Sequence, residues 1–113
     1  MSRTPTSEQR LHTVAETPAF RAAAGKFGLS DADRAAIIQA VAEAPQAGDV
    51  IPESRGVRKR RFAADGRGKR GGWRVLTLYL GEHAPVLLVT NYPKSKQANI
   101  DPSSLQVMKD QKR

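Results

Sequence analysis

Basic and glycine residues concentrate between Arg55 and Arg74, and their spacing suggests phosphate chemistry. The run Gly66-Arg67-Gly68-Lys69-Arg70-Gly71-Gly72 alternates backbone freedom with positive charge. Glycine reaches positive φ at little cost and lets a backbone approach a ligand closely. The cationic side chains between the glycines suit phosphate oxygens. A Walker A loop does not fit, because no Ser or Thr follows Lys69 and the glycines open a strand rather than a helix. A hairpin connection with solvated charges is the competing reading of the loop taken alone.

The neighbouring segment sharpens the choice. From Val57 to Ala63 the residues read as a strand, with Val57, Lys59, Arg61 and Ala63 alternating against Arg58, Arg60 and Phe62. Arg58, Lys59, Arg60 and Arg61 are consecutive, so both faces carry cations. Burying unpaired cations is very costly, so at least one face must be open. Protection of a sheet edge explains some of these charges. Four in a row, with Arg67, Lys69 and Arg70 after them, exceed that need. Trp73 suits a core position. Arg74 interrupts an otherwise apolar strand and requires a partner, either an internal carboxylate such as Glu16 or a phosphate. Asn91-Tyr92-Pro93-Lys94-Ser95-Lys96 ends the last strand. In an antiparallel pair that end lies beside the start of its partner, so Tyr92, Lys94 and Lys96 converge on Arg74 and the glycine loop. Tyr92 can stack on an unpaired base or cap the core.

Charge distribution supports a polyanionic ligand. The chain carries a formal net charge of +8, and residues 55–74 alone carry nine basic residues against Asp65. Such a cluster draws polyanions, nucleic acid first among them. A membrane surface fits less well, because the segment is glycine-rich rather than an amphipathic helix. No apolar run approaches the length of a membrane span. The N-terminal MSRTPTSEQR lacks the apolar stretch of a secretory signal, so cytoplasmic residence is the expectation. With no cysteine, a disulfide scaffold and a thiolate site are excluded. His12 and His83 show no metal-ligand spacing, and no cofactor is expected.

The elements that must position these residues follow from their punctuation. Residues 1–10 are expected to be a disordered tail, and 11–113 one domain. Leu11 to Glu16 alternates as a first strand. Thr17-Pro18 marks a helix start, and Gly28 its end. Ser30-Asp31-Ala32-Asp33 starts a second helix, whose stripe of Ala35, Ile38, Val41 and Ala42 runs to Pro45. Residues 47–49 and 52–54 form a loop. Trp73 to Leu80 is apolar on both faces, as a central strand would be. Val86 to Tyr92 is its antiparallel neighbour, and Asp101-Pro102 opens a last short helix. The expected fold is α+β, a small, mainly antiparallel sheet packed on one face by an N-terminal α-hairpin, in the order β-α-α-β-β-β-α.

In combination, the helical hairpin, AGDVIPESRGVRKRRFAADGRGKRGGWRV and LLVTNYPKSKQANID resemble the RelE/HigB family of toxin ribonucleases, the HigB-type branch most closely. The resemblance covers about residues 11–105. It is carried by GVRK at 56–59, GRGK-GG-RV at 66–75 and Y-K---AN at 92–99. It implies a toxin of a type II toxin–antitoxin system that cleaves mRNA, commonly on the ribosome, and is held inactive by a HigA-like helix-turn-helix antitoxin. It implies catalytic roles for Lys69, Arg74, Tyr92 and Lys94. Arg58, Arg60, Arg61, Arg67, Arg70 and Lys96 are expected to steer and grip RNA. Two positions depart from the pattern. Gln97 stands where a lysine is expected, and Arg70 where a small residue is usual.

The resemblance also implies metal-free attack by an RNA 2′-hydroxyl on its neighbouring phosphate. Arginine cannot supply a proton at neutral pH. Lysine can, once neighbouring cations lower its pKa from about 10.4. Proton transfer is therefore assigned to Lys69 or Lys94, and charge stabilisation to Arg74. Two rival readings use the same fold. One is a ParE-like toxin that poisons gyrase, and the other is a non-catalytic RNA-binding module.

Overall fold

A computed structural model describes residues 11–63 and 72–96. Its elements are β1 (Val14–Glu16), α1 (Pro18–Phe27), α2 (Asp31–Glu43), β2 (Asp49–Val50), β3 (Val57–Phe62), β4 (Trp73–Leu78) and β5 (Val86–Pro93), with a 3-10 turn at Lys94–Lys96. Together the strands make one five-stranded sheet in the order β1-β5-β4-β3-β2. All pairings are antiparallel except β1 with β5, which is parallel. The expected α+β class and α-hairpin are present. The expected last helix and N-terminal tail lie outside the described residues.

Both helices begin and end where the sequence says they should. Thr17 caps α1, its Oγ1 accepting from the Phe20 amide at 3.0 Å, and Pro18 occupies the first turn. Gly28 closes α1 in the left-handed region at φ 74°, with its amide donating to the Ala24 carbonyl. That φ penalises a side chain with a Cβ, which is why glycine stands there. Ser30 caps α2 by accepting from the Asp33 amide at 3.0 Å, and Asp31 and Asp33 complement the positive end of the helix. Pro45 follows the last cap, Ala44.

The hairpin packs on one face of the sheet. Phe20, Ala24, Leu29, Ile37 and Val41 meet Trp73, Val75, Val86 and Leu88 in one buried cluster. Fully burying side chains of this size contributes roughly 1.5–3 kcal/mol each. A second cluster on the opposite face joins Val57, Leu76, Leu78, Leu87 and Val89, with Ala15 and Ile51 packed against it. The central strand is therefore apolar on both faces, as its sequence requires.

Three features differ by more than one residue from the sequence reading. β1 is three residues rather than six, because only Thr13 ahead of it still bonds β5, and the His12 amide donates to the Ala42 carbonyl at 2.9 Å instead. β4 stops at Leu78 rather than Leu80, before the turn that leads to β5. Asp49 and Val50, expected in a loop, pair with Lys59 and Arg58 as a short edge strand. Both are exposed, so no apolar alternation announces that strand.

A charged contact fastens α2 to the edge strand β1. Arg34 donates to both carboxylate oxygens of Glu16, at 2.7 and 2.9 Å. Such two-point pairing is stronger than a single contact. It holds the Glu16 carboxyl below its ordinary pKa of 4.5 and raises that of Arg34. A depressed carboxyl stabilises the fold above its unfolded pKa and loses that contribution as pH falls through its folded value. Glu16→Gln should therefore cost about 1 kcal/mol at pH 7. Denaturant titrations should show the difference from wild type closing as the pH drops below 4.5.

Candidate nucleic-acid interface

Strand pairing determines which cations share a face. Across β3 and β4, Lys59 lies opposite Leu76, Arg60 opposite Val75, Arg61 opposite Arg74 and Phe62 opposite Trp73. Across β4 and β5, Arg74 lies opposite Tyr92 and Trp73 opposite Pro93. Directly opposed residues point to the same side of a sheet. Arg61, Arg74 and Tyr92 thus form one row across three strands, on the face turned away from the helices. Lys59 belongs to the next row on that face.

A β-bulge makes this row possible. Leu76 pairs with Thr90 but its neighbour Thr77 pairs with Leu88, which leaves Val89 as an extra residue in β5. Val86 and Leu88 face the helices, so strict alternation would turn Tyr92 the same way. The extra residue reverses the parity beyond it. Asn91 faces the helices instead, where its Nδ2 donates to the Phe20 carbonyl at 3.0 Å. Tyr92 is thereby placed beside Arg74.

The pleat also divides the basic run. Arg60 points to the helical side and donates to the Ala40 and Ala44 carbonyls at 3.4 and 3.3 Å. Its guanidinium lies 5.0 Å from the centre of the Phe62 ring. A cation at the last carbonyls of α2 complements the negative end of the helix. Arg58 donates to the Gly48 carbonyl at 3.1 Å. In the structure both expected RNA-gripping residues brace the α2–β2 connection. Arg61 is exposed, and Lys59 and Arg74 are half-buried on the other face.

Glu16, one expected partner for Arg74, has both oxygens engaged by Arg34. Trp73 is core, only 1% exposed. Tyr92 is 4% exposed, and burial pushes its phenol above the usual pKa of 10 while the charge of Arg74 pulls it back. The phenol therefore stays protonated at neutral pH and can donate a hydrogen bond but not take up a proton. Lys94 and Lys96 are exposed in the 3-10 turn just after β5. The Lys94 amide donates to the Gly72 carbonyl at 2.9 Å, which ties the end of β5 to the end of the glycine loop. Gly72 has φ 71°, and a Cβ there would collide with the Phe62 carbonyl. Lys69, Arg67, Arg70 and Gln97 lie outside the described residues.

The structure thus gathers Arg61, Arg74, Tyr92, Lys94 and Lys96 at one end of the sheet. It adds Lys59, which the sequence reading left within the basic run without a role. The signal was available: Lys59 shares parity with Arg61 along the strand.

Comparison with known families places the chain. The model for the RelE toxin of the RelE/RelB toxin–antitoxin system matches residues 13–112. The chain belongs to the RelE toxin family. RelE toxins pair with an antitoxin and are generally ribonucleases that inhibit translation. In this RelE-family chain the match spans both helices, all five strands and the basic row.

The division of the basic run is testable with two variants. Arg60→Met should lower stability by about 1 kcal/mol in urea titrations, through loss of its carbonyl contacts, and leave RNA affinity nearly unchanged. Arg61→Met should do the reverse, weakening RNA binding and flattening its dependence on salt by about one phosphate contact.

Proposed function

We propose that this toxin is a HigB-type endoribonuclease that inhibits translation by cutting mRNA in the cytoplasm, on the ribosome. A HigA-like helix-turn-helix antitoxin would restrain it. The observation that carries the reading is the direct pairing of Arg61 with Arg74 across β3 and β4, with Tyr92 beside Arg74. Like charges directly opposed on a sheet face are destabilising. Two arginines opposed across adjacent strands present a paired set of donors suited to the oxygens of one phosphate.

The chemistry follows from what such a row can supply. The RNA 2′-oxygen attacks the adjacent phosphorus and loses its proton to a base. The bond from phosphorus to the 5′-oxygen breaks, and that oxygen takes up a proton. The products are a 2′,3′-cyclic phosphate and a 5′-hydroxyl. Negative charge grows on the phosphate oxygens in the transition state, and fixed cations there are often the largest catalytic contribution. Arg74 takes this role, with Arg61 and Lys59 gripping the phosphate backbone. Lys94 or Lys69 moves the proton, a task worth about 10²–10⁴ in rate. Tyr92, being buried against Arg74, orients that guanidinium and the nucleotide it holds. Arg67, Arg70 and Lys96 contribute to RNA steering. This assignment calls on no metal, because cations and lysines supply both charge stabilisation and proton transfer.

Expression of Arg74→Ala should abolish growth arrest, with cleavage reduced at least about 10²-fold and the circular dichroism spectrum unchanged. Primer extension on cellular mRNA after wild-type induction should show cuts within codons. A folded Arg74→Ala that remains fully toxic would remove Arg74 from the chemistry. Intact mRNA with gyrase-linked DNA breaks would assign the ParE activity, and intact mRNA without them an RNA-binding module.

A further inference from the structure

The end of the sheet opposite the basic row carries a cleft of about 530 Å³. Residues 11–13, the end of α2 with Pro45, and the turn of residues 82–85 enclose it. It is held open by bonds among these three segments. The His12 amide donates to the Ala42 carbonyl at 2.9 Å, and the Val86 amide to the Thr13 carbonyl at 2.9 Å. The His12 Nε2 lies 2.7 Å from the Ala84 carbonyl, and its ring stands 5.5 Å from that of Tyr79.

Its chemistry is opposite to that of the basic row. The walls are mixed, and Leu11, Ala42, Pro45 and Pro85 supply their apolar part. Leu11 is 51% exposed, and Leu80, just before the turn, is 42% exposed. The carboxylates in the lining are Glu43 and Glu82, the second 3.9 Å from the imidazole of His83; among the described residues no Lys or Arg lines the cleft. Gln39 donates to Glu43 at 2.9 Å, which orients that carboxylate. In a chain with a net charge of +8, the described lining thus combines carboxylates with apolar side chains and carries no permanent cation. It repels RNA and suits a protein segment whose aliphatic side chain is flanked by Lys or Arg.

We propose that the cleft is a docking site for the antitoxin, which seats such a basic–apolar segment between Glu43 and Glu82. This rests on membership of a toxin–antitoxin family and not on the nuclease reading. The length of β5 separates the cleft from the Arg61–Arg74–Tyr92 row by roughly 20 Å. Contact with the antitoxin here is therefore separable from contact with RNA.

The test uses the full toxin and its neutralising antitoxin, purified as a pair, separated and fluorescently labelled on the antitoxin. Anisotropy titrations should show at least tenfold weaker binding to Glu43→Lys/Glu82→Lys than to wild type. Glu43→Gln/Glu82→Gln, which keeps the shape and removes the charge, should fall between them. Both variants should retain the wild-type melting temperature and RNA cleavage. Affinity within twofold of wild type in the lysine pair would overturn the proposal. So would light scattering that shows a toxin dimer dispersed by the same substitutions, since the cleft would then belong to a second copy of the chain. Loss of cleavage in the Arg74 variant with antitoxin affinity intact bears on the nuclease reading alone.

Discussion

One extra residue in β5 organises the candidate site of this molecule. Val89 breaks the two-residue period between the part of the strand that packs on α1 and the part that meets Arg74. Before it, Val86 and Leu88 face the hairpin; beyond it, Asn91 does. Without the bulge, the polar Asn91 and the aromatic Tyr92 would exchange faces. Tyr92 would then be lost from the row, and Asn91 would lose the Phe20 carbonyl it now bonds. A buried amide without that bond would cost a substantial part of the stability of a small domain. Packing on one side and the site on the other are therefore set by the same irregularity.

The same pleat resolves the problem of four adjacent cations. A strand cannot bury both of its faces when both carry arginine. Here the helical face receives Arg58 and Arg60, whose charges reach backbone carbonyls at Gly48, Ala40 and Ala44. The long arginine stem covers apolar surface while its head finds acceptors at the rim. Lys59 and Arg61 are turned to the other side. What reads in sequence as one basic block is two devices, one that braces a helix end and one that faces outward beside Arg74.

Local punctuation made the hairpin legible. Thr17, Pro18, Gly28, Ser30 and Pro45 each act within one or two turns of the chain, and each occupies its expected place. The central strand was legible because apolar residues on both faces have few other uses. β1 and β2 were less so. One is three residues long, the other two and exposed, and their partners lie far along the chain or depend on the fold of a loop. The convergence of Arg74 and Tyr92 could be anticipated from antiparallel geometry alone. Their placement on one face could not, because it depends on a bulge that period-two reasoning misses. The division of roles within Arg58 to Arg61 was present as alternation, but assigning its faces required knowing where the hairpin packs.

Thr17 links the first helix to the last strand. Besides capping α1, its hydroxyl donates towards the Leu88 and Val89 carbonyls at 2.9 and 3.0 Å, across 71 and 72 residues of sequence. β1 beside it pairs with β5 as well. Contacts this distant close only after the intervening chain exists, and topologies rich in them fold slowly. During synthesis, α1 and α2 leave the ribosome well before the strand they pack against. The basic row, which needs β5 as its third member, is assembled among the last parts of the domain. The face that carries Arg61 and Arg74 is thus complete only once most of the domain has been made.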